Sequence, residues 1–141
     1  MATIEWPEEL LEIIDDFAAA FDSSERYEML FELADDVDEL PLSEWTSSTK
    51  VHGCQSEAHV LACLNVDGSF HLKGAADSKL VQGLISITAT ALEGLSLTEV
   101  AIFPPTYVEE MGLKDALSPS RANGFLNMFK KVQHEAALLG D

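Results

Sequence analysis

An alternating apolar stretch followed at once by a turn signal is the feature that most constrains this fold. Apolar residues occupy every second position of the stretch, at Ala58, Val60, Ala62, Leu64 and Val66. A period of two is typical of a strand with one apolar face. Asp67-Gly68 is a strong hairpin signal, and residues 69–74 return with Phe70 and Leu72 on one face. The pattern predicts a β-hairpin.

Helical patterns precede the hairpin. The first helix has apolar residues at helical spacing, which are Leu10, Ile13, Ile14, Phe17 and Phe21. Asp22 and Glu25 form a capping-box-like start for a second helix, which Pro41 ends. The apolar face of this second helix comprises Tyr27, Leu30, Phe31, Ala34 and Val37. Residues 42–50, rich in Ser and Thr, predict a loop that leads into a short extended piece around Lys50.

Helical patterns also follow the hairpin. One helix begins near Ser78, and Ser96 with Glu99 forms a capping box for a short helix. Ser118 is suited to cap the last helix, because Pro119 then occupies the first helical position. The apolar stripe of this last helix comprises Phe125, Met128, Phe129, Val132, Ala136 and Leu139.

Helices around a small antiparallel sheet make an α+β architecture, and 141 residues with 47% hydrophobic content suit a single domain, residues 1–141. No stretch reaches the roughly 18 apolar residues of a membrane span, and residues 1–9 show no export signal. We therefore expect a soluble, cytoplasmic protein without membrane association. Its two cysteines, Cys54 and Cys63, are too few for a disulfide scaffold and are expected to be free thiols.

Acidic residues are concentrated in the first third of the chain. The net charge is −17, and residues 1–44 account for −14 of it. Such a surface repels phosphate backbones, so we expect no nucleic-acid binding. Two interpretations of the acidity remain open: a solvated surface suited to high salt, and a docking face for a basic partner.

Cys54 lies in a turn and not in an apolar periodic stretch. Its neighbours are Gly53 and the polar residues Gln55 and Ser56. A cysteine used as a core hydrophobe lies among apolar residues, where burial makes it inert. The placement therefore predicts a thiol held out for chemistry. Glycine tolerates positive φ, so Gly53 gives the backbone freedom to swing the thiol outward.

Three segments together resemble one family. They are Gly53-Cys54-Gln55-Ser56, then Ala76-Asp77-Ser78 running into Val81-Gln82-Gly83-Leu84-Ile85, and finally Leu117-Ser118-Pro119-Ser120-Arg121-Ala122-Asn123-Gly124. From the first helix to the last, the chain resembles the SufE-type sulfur acceptors, a group that includes CsdE. The resemblance implies a small curved antiparallel sheet of about three strands, with helices packed on one side and the reactive cysteine at a loop tip.

The resemblance also implies a function. SufE-like proteins dock on a cysteine desulfurase of the SufS or CsdA type, which uses pyridoxal phosphate, and stimulate it by accepting the sulfur of its persulfide. The sulfur then goes towards iron–sulfur cluster assembly, with a SufBCD-type scaffold as one candidate acceptor. Cys54 is the accepting nucleophile in this scheme. The chain itself then binds no cofactor, acts as a carrier and not as an enzyme, and is a monomer or weak homodimer.

Asp77 and Arg121 also match the family's motifs. Asp77 either caps the helix that follows it or contacts the partner. Arg121 lies in the first turn of the last helix, where the macrodipole disfavours a cation, so its charge suggests a specific partner. The candidates are Asp77, the backbone carbonyls of the cysteine loop, and the desulfurase. Gln55 and Ser56 are predicted to hold the loop by hydrogen bonds.

Sulfur transfer requires thiolate character at the attacking sulfur. A free cysteine with an ordinary pKa of about 8.5 is only a few per cent thiolate at neutral pH. Lys50 is the only lysine or arginine close to Cys54 in the sequence. We therefore expect activation to come largely from the docked enzyme.

His59 departs from the family pattern, because a tryptophan is usual at this position. The exchange puts in doubt the usual packing beside the loop, and it raises a zinc alternative. The ligands of that alternative are Cys54, His59 and Cys63 with His52 or His71. The spacing matches no standard zinc pattern, and strand alternation places only His59 and Cys63 on a shared face. We therefore predict no metal site.

Two other functions remain open at this stage. A stand-alone hydrolase would use Cys54 with His52, His59 or His71 as base, but the sequence contains no recognisable nucleophile elbow or triad signature. A regulatory binder of a desulfurase would act without the thiol. Replacing Cys54 by serine separates the carrier from the regulatory binder.

Overall fold

The computed structural model describes residues 6–54 and 56–140. In chain order its helices and strands are α1 (Glu8–Ala18), α2 (Ser23–Leu33), β1 (Asp38–Glu39), β2 (Ala58–Leu64), β3 (Phe70–Ala76), α3 (Lys79–Leu92), α4 (Leu97–Ile102), α5 (Tyr107–Glu110), α6 (Leu113–Ala116) and α7 (Pro119–Leu139). No helix in these described ranges is both long enough and apolar enough to cross a membrane.

The predicted hairpin is confirmed. β2 and β3 pair antiparallel, from Ala58 opposite Ala76 to Leu64 opposite Phe70. The chain reverses through residues 65–69, where the Asp67 carboxylate accepts a hydrogen bond from the Ser69 N–H at 2.9 Å. β2 ends at Leu64, two residues earlier than the alternation suggested. Val66, the next apolar residue of the alternation, belongs to the turn and is fully exposed.

The sheet is mixed, whereas the sequence predicted a wholly antiparallel one. The short strand β1 pairs parallel with β3, so the strand order is β1-β3-β2. The predicted second helix ends at Leu33, and a 3-10 turn at Ala34–Asp36 replaces its last turn. The chain then runs along the edge of β3, where the Leu40 N–H donates to the Gly74 carbonyl at 3.1 Å. This pairing joins residues far apart in sequence, so no local pattern indicates it.

The predicted extended piece around Lys50 is present at the other edge of the sheet. Lys50 forms a single antiparallel bridge with His59. On either side of the bridge, the Val51 N–H donates to the Ala58 carbonyl at 2.8 Å and the Val60 N–H donates to the Thr49 carbonyl at 2.9 Å. These bonds hold the segment beside β2, immediately before the cysteine loop.

The helix starts are where the sequence placed them. The side chains of Asp22, Ser78, Ser96 and Ser118 accept hydrogen bonds from the first turns of α2, α3, α4 and α7. Glu99 completes the capping box of α4 by accepting from the Ser96 N–H at 3.0 Å. Three residues of the predicted apolar helix faces are exposed. Phe21 lies beyond the end of α1 and is 91% exposed, while Phe31 of α2 is 43% exposed and Leu139 at the end of α7 is 38% exposed.

One face of the sheet forms the core with the helices. The apolar side chains of Ala58, Val60 and Leu72 are buried against α3 and α7. Deeper in the helical layer, Tyr107 is fully buried, its hydroxyl lies 2.8 Å from the Thr88 hydroxyl, and its burial raises the pKa of the phenol. The α+β class, with a three-stranded sheet and helices packed on one side, is therefore confirmed.

Candidate functional site

Cys54 lies in the loop that joins the Lys50 bridge to β2. Gly53 precedes it with φ of 81°, a left-handed conformation that side-chain-bearing residues rarely adopt. The loop therefore turns sharply just before the cysteine. Gln55, which we also predicted to hold the loop, lies outside the described residues.

The thiol of Cys54 is sheltered, which corrects the expectation of a thiol held out for chemistry. Cys54 is half-buried and packs against the core. It lies over Gly124 of α7, where a Cβ atom would be 3.2 Å from the sulfur and 3.6 Å from the Cα of Cys54. The loop can approach the helix this closely because Gly124 has no side chain.

A cavity of about 70 Å³ opens beside the thiol. Its apolar lining comes from Val51, Ala58, Val81, Leu84, Phe125 and Met128. Its polar lining comes from Cys54, Ser56, Ser120 and Arg121. The volume exceeds the roughly 30 Å³ that one water molecule occupies in the liquid, so the cavity has room for one additional sulfur atom on Cys54.

Arg121 lies at this cavity on the first turn of α7. Its backbone N–H donates to the Ser118 cap at 3.3 Å. Its guanidinium makes no hydrogen bond or ion pair with any residue in the described parts of the chain, so it is paired neither with Asp77 nor with the loop carbonyls there. Arg121 is therefore an exposed cation without a partner among the described residues, and it lines the same cavity as the half-buried thiol, so it is available for a partner protein or for a negatively charged sulfur.

Asp77 braces the far end of the cysteine loop. Its carboxylate accepts a hydrogen bond from the Glu57 N–H at 3.1 Å, and its own N–H donates to the Glu57 carbonyl at 3.0 Å. The cap of α3 is the neighbouring Ser78, so the interpretation of Asp77 as a helix cap is wrong. Ser56 lines the cavity and lies just before the braced residue.

Asn127 is a site residue that the sequence analysis missed. Its side-chain amide donates a hydrogen bond to the Gly53 carbonyl at 3.2 Å. It lies three residues after Gly124 on α7, and residues at this spacing share a helix face. The sequence shows only a polar residue between the apolar residues Phe125 and Met128. Helical spacing of apolar residues does not indicate that such a residue faces the cysteine loop.

The histidines lie away from the thiol. His59 is 2% exposed, and its ring stacks on Trp45 with centroids 4.9 Å apart. Its two ring nitrogens lie 2.7 Å from the Thr49 hydroxyl and 2.8 Å from the Glu57 carboxylate. The hydrogen bond with His59 is the main cause of the lowered pKa of Glu57. Trp45 thus supplies an aromatic ring against this strand position.

The rest of the proposed zinc set is also dispersed. His71 contacts Asp38 and Glu93 through its two ring nitrogens, at 2.7 and 2.8 Å. Cys63 is a half-buried strand residue, and its burial raises the pKa of its thiol. Among the side chains that the structure describes, no group of three metal-ligating residues has the arrangement of a metal site. No histidine is among the described residues that line the Cys54 cavity.

Comparison with known proteins shows that the sequence is similar to SufE-like proteins over most of its length. Residues 11–136 match the family model described as SufE, Fe–S metabolism associated domain. An uncharacterized SufE-like protein of Synechocystis sp. is 35% identical over 136 residues, which cover 96% of this chain and 85% of that protein. SufE-like protein 1, chloroplastic/mitochondrial, of Arabidopsis thaliana is 32% identical over 132 residues, which cover 94% of this chain and 36% of the plant protein.

A solved structure is similar in fold. The solution structure of a hypothetical protein from Thermus thermophilus aligns with a TM-score of 0.78, over 96% of this chain and 98% of the other. The two sequences are 23% identical, so this similarity supports the fold alone.

Proposed function

We propose that this chain, which belongs to the SufE family of Fe–S metabolism associated domains, carries sulfur on Cys54. Membership implies a role in Fe–S metabolism and, in general, a cysteine desulfurase as partner. The transfer of sulfur, the SufS-like or CsdA-like identity of the desulfurase and delivery to a SufBCD-type scaffold belong to the proposal. One observation carries it: the free Cys54 thiol lies against a mostly apolar cavity whose lining includes Arg121, a cation for which the described residues supply no hydrogen-bond or ion-pair partner.

The transfer is a nucleophilic displacement at sulfur. The Cys54 thiolate attacks the terminal sulfur of the desulfurase persulfide and forms a new S–S bond. The S–S bond within the enzyme's persulfide breaks, and its electron pair remains on the enzyme's cysteine, which leaves as a thiolate. The proton of the terminal sulfur stays with it, so Cys54 becomes a persulfide and no external oxidant or reductant is consumed.

The sheltered position of Cys54 suits the carrying stage. After transfer, the added sulfur would occupy the 70 Å³ cavity beside the thiol, among mostly apolar side chains. Arg121, which lines the same cavity, would then stabilise a persulfide anion by charge-assisted hydrogen bonding. Carrying a persulfide would therefore account for an apolar cavity and a cation occurring side by side.

The accepting stage requires the thiol to leave this shelter. A desulfurase persulfide needs a near-linear approach to the Cys54 sulfur, which Gly124 and the cavity wall obstruct in the closed loop. We propose that docking draws the loop outward about Gly53, and that the docked enzyme supplies most of the activation. Arg121 and Ser56, both at the cavity, are the residues that the partner would contact first.

The chemistry of the cofactor stays with the partner. Pyridoxal phosphate would be bound by the desulfurase and would supply the chemistry that releases sulfur from cysteine, and this chain would contribute its thiol and its cavity. Location in the cytoplasm and the monomeric or weakly dimeric state stay predictions. The two interpretations of the acidic residues on α1 and α2, as a high-salt surface and as a docking face, also stay predictions.

The test is direct labelling with a matched cysteine control. The chain is incubated with its desulfurase and cysteine, and peptide mass spectrometry without reductant locates the added sulfur. We expect one sulfur atom on Cys54 in the wild type and in Cys63→Ser, and none in Cys54→Ser. Sulfur on another residue, or full stimulation of the desulfurase by Cys54→Ser, would refute the carrier and favour a regulatory binder.

The hydrolase alternative has no support in the site. A cysteine hydrolase needs a histidine within hydrogen-bond reach of the nucleophile. His59 and His71 each have both ring nitrogens engaged elsewhere, and His52 is an exposed residue that does not line the cavity. Hydrolysis of thioesters by the isolated chain would be the result that revives this alternative.

A further inference from the structure

One face of α7 holds the segment that leads to Cys54. Lys131 donates to the Ser48 carbonyl at 2.8 Å, and Asn127 donates to the Gly53 carbonyl at 3.2 Å. The Cys54 sulfur packs against Gly124, which lies one turn closer to the start of the helix. The loop therefore lies along a row of side chains spaced three and four residues apart.

The bond from Asn127 is placed at the residue where the loop turns. Gly53 has φ of 81°, and a Cβ atom on it would lie 2.4 Å from the Asn127 amide nitrogen. The Gly53 backbone and the Asn127 side chain are thus in direct contact. An outward movement of Cys54 about Gly53 has to separate these two groups.

The two ends of the loop are held with different strength. The base of the loop is closed by the Val51 to Ala58 backbone bond, and its far end is braced by paired bonds between Glu57 and Asp77, one of them to a carboxylate. Beyond Val51, the described residues give the near end one hydrogen bond, from the neutral Asn127 amide to the exposed Gly53 carbonyl. A bond of this kind shifts an equilibrium by only about 2- to 12-fold, so it opens readily.

We propose that Asn127 is a positioning residue that acts as a releasable latch, holding the Cys54 loop closed over its cavity and setting how often the thiol is exposed. The proposal rests on the proposed function, in which Cys54 alternates between a sheltered and an exposed state. A partner that occupied the Asn127 amide, or the Gly53 carbonyl, would open the loop without disturbing the braced end at Asp77.

Alkylation of the isolated protein tests the latch. Cys54 and Cys63 compete for limiting iodoacetamide, and mass spectrometry gives the ratio of their rates. We expect Asn127→Ala to raise the Cys54 to Cys63 ratio by about 2- to 12-fold. Asn127→Asp should raise it at least as much, because it keeps the shape, loses the N–H donors and sets a carboxylate against a carbonyl. The matched control is Asn123→Ala, since Asn123 is an exposed residue of the same helix that does not line the cavity.

Each other outcome overturns the latch. A wild-type ratio in Asn127→Ala would mean that Asn127 does not hold the loop. Equal acceleration of both cysteines would mean global unfolding, since Cys63 lies in β2 and not in the loop. A raised ratio in Asn127→Ala with a wild-type ratio in Asn127→Asp would assign the effect to packing.

The two proposals fail separately. The alkylation experiment contains no desulfurase, so it reports loop opening whether or not Cys54 accepts sulfur. Sulfur labelling of Cys54 by the desulfurase, with an unchanged alkylation ratio in Asn127→Ala, would remove only the latch. The opposite pair of results would remove only the carrier.

Discussion

The two faces of the sheet use polar side chains in opposite ways. On the sheet face opposite Val60 and Leu72, His59 and His71 have both ring nitrogens bonded, to a hydroxyl and to three carboxylates. On the helical face, the Cys54 thiol and the Arg121 guanidinium border a cavity, and neither has a hydrogen-bonding side-chain partner among the described residues.

The difference separates residues that stabilise the fold from residues free to react. A polar group whose hydrogen-bonding atoms are all paired contributes to stability and has no free donor or acceptor atom for a ligand. A free thiol beside a cavity and an unpaired cation contributes little to stability and can meet an external group. His59 and His71, which were candidate ligands in the sequence, stabilise the fold, whereas Cys54 is free to react.

The largest expected effect is at His59, on the sheet face opposite Val60 and Leu72. His59→Ala removes the buried ring that stacks on Trp45, together with its hydrogen bonds to the Thr49 hydroxyl and the Glu57 carboxylate. We expect the free energy of unfolding to fall by about 3 kcal/mol in urea titrations. His52→Ala, at an exposed position, should change it by less than about 0.5 kcal/mol. A loss below about 1 kcal/mol for His59→Ala would contradict the contrast between the faces.

Arg121→Ala tests the opposite side of the comparison. Because the guanidinium is exposed and has no partner in the described structure, its loss should leave the free energy of unfolding within about 0.5 kcal/mol. Sulfur transfer to Cys54 should fall roughly tenfold, since a charge-assisted contact to the partner or the persulfide is lost. Lys130→Ala, an exposed cation on the same helix, should transfer sulfur at the wild-type rate. A stability loss without a transfer defect would reassign Arg121 to the scaffold.

Gly124→Ala tests the close approach of the loop to α7. The new Cβ would lie 3.2 Å from the Cys54 sulfur, so the sulfur or the loop has to move by a few tenths of an ångström, which disfavours the closed loop. We expect alkylation of Cys54 to accelerate roughly fivefold relative to Cys63, from a modest cost of overpacking. Gly140→Ala, at the end of the same helix with its nearest neighbour at 3.5 Å, serves as the control. An unchanged ratio in Gly124→Ala would show that the shelter does not depend on this contact.

The smallest effect is a dependence on pH at His71. Its pKa is raised above the ordinary value of 6.5, mainly by the hydrogen bond to Asp38 and then by Glu93. A raised folded pKa stabilises the protein fully below the ordinary value, and the stabilisation disappears as the pH rises through the raised value. Urea titrations should therefore show a larger difference between the wild type and His71→Gln at about pH 5.5 than at about pH 9. An equal difference at both would leave the two carboxylates without an electrostatic role.

Elements defined by neighbouring residues were predictable. The hairpin follows from alternation and Asp67-Gly68, and the starts of α4 and α7 follow from side chains that bond to backbone groups three residues away. Elements defined by distant contacts were not. β1 forms by pairing with β3, a strand far away in the sequence. Phe21 is exposed because α1 ends at Ala18, so Phe21 does not continue the buried face of that helix.

Local sequence patterns were enough for the hairpin, the helix starts and the three segments that identify the family. Long-range contacts set how Cys54 is held. Its shelter depends on Gly124 and Asn127, which are about half the chain away, and its braced end depends on Asp77 across the hairpin. Local propensity acts over a few residues, whereas a loop conformation is set by whichever distant groups satisfy its backbone polar atoms. A turn cysteine therefore looked exposed in the sequence and is half-buried in the fold.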